Sequence, residues 1–145
     1  AKRPAGVNLL IYGMAGTGKT EFARMIAKEL GFPLIEISTT GFYGAPAAPR
    51  QRLRNLLFAQ ALFRDKPAVL LFDECEEVLG QAAANERADE DSALPRKSWL
   101  NKLLETNEVP TIWIGNSVAV PCVAGSRTVP RPCLRPQHPG SPSCR

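Results

Sequence analysis

Only one cysteine, Cys75, lies among residues 1–116 of this 145-residue chain, and the other three, Cys122, Cys133 and Cys144, follow within residues 117–145. A lone cysteine builds no disulfide framework, so the body must be held by an ordinary apolar core and reads as a reduced, cytoplasmic-type domain. Histidine is nearly absent as well. His138 is the single one, and the tail cysteines, eleven residues apart, make no compact metal-ligand pair beside it, so no metal site is read there. No apolar run approaches the length of a membrane span, and the opening AKRPAG lacks the apolar stretch of a signal peptide. Nothing in the sequence addresses the chain to a membrane. Acid is missing from residues 117–145, which carry Arg127, Arg131, Arg135 and Arg145, whereas residues 1–116 hold 14 Lys+Arg against 14 Asp+Glu. The net charge of +4 therefore belongs to the tail alone, and a neutral body offers no electrostatic footprint for nucleic acid.

What is present is enough for one globular core: 44% of the residues are apolar and 22% are charged. Val7 to Tyr12 (VNLLIY) is a short, nearly continuous apolar run of the kind expected of a strand covered on both faces. After a glycine loop, Phe22, Ala23, Ile26 and Leu30 recur at helical spacing until Gly31 supplies a stop. PLIEI (33–37) reads as a second strand, and Arg50 to Arg64 as a helix with Leu53, Leu56, Leu57, Ala61 and Leu62 as its apolar face. Arg50, Arg52 and Arg54 read as a solvated face of that helix. AVLLF (68–72) is a third, buried-type strand, ending in Asp73, Glu74, Glu76 and Glu77; the last two read as a solvated helix face. Lys97 to Thr106 reads as a helix through Leu100, Leu103 and Leu104, and Val109 to Ile114 as a fourth strand. Strands alternating with helices at this spacing predict right-handed βαβ units in a mostly parallel sheet with helices on both faces.

Chemistry enters at Gly13 to Thr20, GMAGTGKT, which satisfies G-x-x-x-x-G-K-[ST] and lies between a strand and a helix, as its mechanism requires. Glycines at 13, 16 and 18 let the backbone curl so that N–H groups point at phosphate oxygens, and the helix N-terminus adds partial positive charge. ATP is thus expected along Gly13, Met14, Ala15, Gly16, Thr17, Gly18, Lys19, Thr20 and Glu21, with Lys19 on the β- and γ-phosphates and Thr20 on Mg²⁺. AVLLFDE then supplies the acids. Asp73, at the carboxyl end of a buried strand, is placed to hold Mg²⁺, and Glu74 to polarise an attacking water.

With these motifs in place, residues of about 5–116 resemble the AAA+ ATPase family, in its AAA branch, through GMAGTGKT (Walker A), LLFDE (Walker B) and VPTIWIGN. The resemblance implies a P-loop NTPase three-layer α/β sandwich, ATP hydrolysis with Mg²⁺, and work on a macromolecule within a ring of subunits. It also implies that Asn116, at the tip of the strand after the acidic motif, senses the γ-phosphate and orients water. Phe42-Tyr43-Gly44 lies where AAA unfoldases carry a substrate-gripping pore loop, although aromatics beside glycine in a loop are more often packing or turn residues.

Two departures qualify the expectation. Ala15 stands where the family often has proline, and no arginine finger, fifth strand or helical lid is evident after Asn116. The chain therefore divides into an incomplete ATPase core, 5–117, and a Pro/Arg/Cys-rich tail, 118–145, with six of the thirteen prolines in 121–142; the tail is expected to be disordered or the product of a reading-frame shift. Nucleotide binding is expected more firmly than turnover, which the missing parts would impair. A non-catalytic nucleotide-dependent binding module remains the alternative from another class, and a small-molecule P-loop kinase a further one. The sequence does not identify what would be remodelled.

Overall fold

A computed structural model describes residues 5–41, 44–84, 97–116 and 127–128. Phe42 and Tyr43, which stand where unfoldases of the resembled family carry a pore loop, and the tail apart from residues 127–128 lie outside the described residues. The elements follow in the order β1 (Asn8–Tyr12), α1 (Lys19–Glu29), β2 (Leu34–Glu36), α2 (Pro49–Phe63), β3 (Val69–Phe72), α3 (Glu76–Ala84), α4 (Lys97–Thr106), β4 (Thr111–Gly115) and β5 (Arg127–Thr128). The sheet order is β2-β3-β4-β1-β5, and every pairing is parallel. β4 thus inserts between β3 and β1, bringing three strand ends together at the carboxyl edge where α/β sheets bind ligands. Where the sequence shows no fifth strand, Arg127 and Thr128 pair with Leu9 and Leu10. Two residues carry too little periodicity to be read without their partner strand.

Alternation along the strands builds two cores. Val69, Leu71, Ile112 and Ile114 face Ala23 of α1, while Leu70, Phe72 and Trp113 face Leu53, Leu56 and Ala59 of α2 together with Val78, Leu79, Leu100 and Leu104 of α3 and α4. β3 and β4 are buried along their whole length, which is why their sequence shows no polar alternation. The expected apolar face of α2 is corrected: Leu57, Ala61 and Leu62 are exposed, and the buried residues are Arg52, Leu53, Leu56 and Ala59. Leucine, phenylalanine and alanine together cover nearly the whole circumference of this helix, so composition alone does not choose the inward face. Phe22 of α1 and Leu30, its C-cap, are likewise exposed, whereas Ala23 and Ala27 are buried.

The amino edge of the sheet is tied by buried amides. Asn8 Nδ2 donates to Leu104 O at 2.6 Å and Asn8 Oδ1 accepts from Trp113 Nε1 at 3.0 Å, while Gln60 exchanges hydrogen bonds with Val109 and donates to Thr111 Oγ1 at 3.0 Å. With every strand parallel, these ties fix the register from the end opposite the glycine loop. No helix among the described residues is long and apolar enough to cross a membrane.

Candidate functional site

The turn from β1 into α1 depends on glycine. Gly16 and Gly18 take φ of 75° and 76°, the left-handed region that strains any side-chain residue. Gly18 is the N-cap of α1 and provides no side-chain cap, so the first amides of the helix are left for another acceptor. Lys19 curls back over the loop: its Nζ donates to Gly13 O at 2.9 Å, Met14 O at 2.8 Å and Asn116 Oδ1 at 3.0 Å. Thr17 Oγ1 braces the loop from within by donating to Met14 O at 2.9 Å, and the Gly13 N–H reaches Gly115 O at the tip of β4. Thr20 Oγ1 donates to Asp73 Oδ2 at 3.1 Å. Lys19, Thr20, Asp73, Glu74 and Asn116 share one open cleft of about 450 Å³ with Ala15, Gly16, Thr17, Gly18, Glu21 and Ile114. Glu21 lines this cleft, but its carboxylate is ion-paired to Arg24 one helical turn on.

The acidic turn after β3 is held in an unusual shape. Glu74 has φ 50°, the one positive value at a non-glycine among the described residues. A left-handed residue with a side chain costs about 1–2 kcal/mol, so neighbouring contacts must impose it. The Glu74 N–H donates to Asp73 Oδ1 at 2.8 Å, and the Cys75 N–H to Ile114 O at 2.8 Å. The third restraint is Arg52. Its guanidinium donates to Asp73 O and, at 3.2 Å, to Glu74 O, and it lies 4.5 Å from the centre of the Phe72 ring and 3.7 Å from Glu77 Oε2.

Arg52 is 1% exposed, which corrects its reading as part of a solvated face; Arg50 and Arg54 are exposed as expected. The signal was available in the helical period. Residues 50 and 54 share a face, and residue 52 lies opposite them, on the stripe of Leu53, Leu56 and Ala59. Glu76, also read as solvated, is half-buried, and its Oε1 accepts from the Asn116 backbone N–H at 3.3 Å and from Asn116 Nδ2 at 2.9 Å. No local pattern announces that contact, which spans forty residues of chain. Cys75, between these acids, is buried. Desolvation and then the Glu76 carboxylate push its thiol up from 9.0 to about 12, so it is neutral at physiological pH.

The donor set suits a hard cation bound with phosphate. Thr20 Oγ1 and Asp73 Oδ2 are adjacent oxygens, and Mg²⁺ typically takes one or two such protein ligands and completes its shell with water and phosphate. Among the described residues no group of three or more His, Cys, Asp and Glu is placed to hold a metal without such help.

A glycine loop between the first strand and first helix of a parallel sheet, facing an acid at the end of a neighbouring strand, defines a P-loop NTPase arrangement. The family model for the ATPase family associated with various cellular activities (AAA) matches residues 9–123, and the chain belongs to that family. It is 39% identical over 108 residues to the ATP-dependent zinc metalloprotease FtsH of Mycobacterium tuberculosis, a match covering 72% of this chain and 13% of that protein. Against FtsH 3 of Symbiobacterium thermophilum the identity is 37%, covering 72% of this chain and 16% of that protein. Chromosome transmission fidelity protein 18 of Saccharomyces cerevisiae is 37% identical over 75 residues, 52% of this chain and 10% of that protein. The chain thus spans a small part of the length of each relative.

Proposed function

We propose that this chain binds ATP with Mg²⁺ between the 13–21 loop and the acidic turn after β3, and that it hydrolyses the bound ATP. The observation that supports this reading is the convergence on one cleft of Lys19, Thr20, Asp73 and Asn116, the first and last being 97 residues apart. In this reading the loop amides and Lys19 hold the β- and γ-phosphates. Two of the three acceptors of Lys19 are neutral loop carbonyls, and phosphate oxygens form stronger, charge-assisted bonds with an ammonium. Thr20 and Asp73 are the protein ligands for Mg²⁺, whose chemistry when bound is to neutralise charge on the phosphates. Glu74 projects from its constrained turn to take a proton from the attacking water, and Asn116 orients that water. Residues 5–117 form the unit that carries this work.

The wider role is proposed from family membership: ATP turnover used to remodel a macromolecule, in company with other subunits of the same family. Protease, zinc and chromosome functions named for the relatives are not carried over, because each match covers 16% or less of the protein that bears the name. The test is calorimetric titration of Mg-ATP into the chain and into Lys19→Ala. Binding by the parent and none by the variant is expected; equal affinities would overturn the phosphate-loop reading.

A further inference from the structure

We infer that Glu76 is a positioning residue that sets which end of the Asn116 amide faces the phosphate loop, an inference that rests on the proposed nucleotide site and names a residue outside its motifs. The two ends of an amide are told apart only by their partners. Here the partners leave no choice: Lys19 only donates, the Glu76 carboxylate only accepts, and Asn116 lies between them at 3.0 Å and 2.9 Å. Glu76 Oε1 also takes the Asn116 backbone N–H, so one carboxylate oxygen holds the residue at two points. Its other oxygen, Oε2, is buried without a hydrogen-bond partner among the described residues, which leaves Oε1 to make both contacts.

The consequence is chemical. With Nδ2 engaged by Glu76, Asn116 presents Oδ1, an acceptor, to the site. Through Oδ1 it receives a hydrogen bond from Lys19 or from a water molecule, while one of the two Nδ2 hydrogens is committed to Glu76. A sensor of this kind aligns the nucleophile and the lysine, whereas one with its NH₂ inward would bind the phosphate itself. Glu76 opens α3 and sits three residues after Asp73, so its position is fixed by the same turn that carries Asp73 and Glu74. The acidic turn and the tip of β4 are joined twice, by this contact and by the Cys75 N–H to Ile114 O bond.

Two measurements on the whole chain test the assignment. The first is made without nucleotide, from the Asn116 side-chain amide signals in ¹⁵N NMR spectra, identified by their loss in Asn116→Ala. In Glu76→Ala these signals are expected to collapse to the positions of a free amide. In Glu76→Gln, whose side-chain carbonyl still accepts, they are expected to remain shifted. Unchanged signals in Glu76→Ala would overturn the inference whatever the chain does with ATP. The second compares ADP affinity with ATP turnover. Glu76→Ala is expected to slow turnover about tenfold, the order of one hydrogen bond, while the ADP dissociation constant stays within twofold. Glu76→Ala/Asn116→Ala is expected to be no slower than the slower single variant, because both act through one amide. Multiplying losses, or an equal loss of ADP affinity, would assign Glu76 a merely structural role. Absence of nucleotide binding by the parent chain would refute the proposed function, and the NMR comparison would still decide the role of Glu76.

Discussion

Replacing Arg52 should damage this domain more than any other single change at a charged residue described above. In Arg52→Ala, Asp73 O and Glu74 O lose a charged donor; each carbonyl left without a partner costs about 1–3 kcal/mol, and loss of the contact with Phe72 adds roughly 0.5–2 kcal/mol. Against this stands relief from burying a cation, which is substantial for a side chain 1% exposed and weakly offset by Glu77, whose carboxylate is mostly in solvent. Two unpartnered carbonyls and the lost ring contact, less the relief of a buried cation, leave a net of about 3–5 kcal/mol. Arg52→Met fills most of the volume and buries no charge, so its loss should be smaller, about 1–3 kcal/mol. Urea unfolding followed by tryptophan fluorescence suits the measurement, because Trp113 packs against Phe72 with ring centres 5.0 Å apart, beside the substituted site. With an m-value of about 2 kcal/mol/M, the Ala variant should unfold at a midpoint roughly 1.5–2.5 M lower. A shift below about 0.5 M in Arg52→Ala would show that the guanidinium is not what holds the acidic turn.

Three further outcomes can be measured on other contacts of the domain. Glu74→Gln should leave Mg-ATP affinity within about twofold and remove turnover, read by phosphate release; equal turnover would exclude Glu74 as the proton acceptor. Because the Cys75 thiol is raised from 9.0 to about 12, the folded state favours its neutral form. The corresponding stability is fully present below pH 9 and is lost as the pH rises from 9 towards 12, while at pH 8 the Cys75 peptide should resist iodoacetamide until the chain is unfolded. Rapid native alkylation of that peptide would contradict the burial. Gly6→Ala should cost at least about 1–2 kcal/mol, since φ there is 75° and a Cβ would sit 2.7 Å from Glu105 O; an unchanged melting temperature would mean that the turn into β1 relaxes freely.

By itself the sequence determined the parts of this protein whose physics is local. GMAGTGKT needs only a curled backbone between a strand and a helix, and its glycines are written at the positions that take left-handed φ, so the loop was legible from the string. The buried strands β3 and β4 were legible for the same reason, β3 as an unbroken apolar run and β4 as a short run whose one polar residue is Thr111. Tertiary structure decided what depends on residues distant in the chain. Insertion of β4 between β1 and β3 set Asn116 against Lys19, and the packing of α2 turned Arg52 inward while leaving Leu57 and Leu62 outside. The turn after β3 aimed Glu76 at an amide forty residues away. Periodicity records which residues share a face of one element; it does not record which face a neighbouring element covers, and a charged residue declares its burial only through the carbonyls and rings that the fold brings to it.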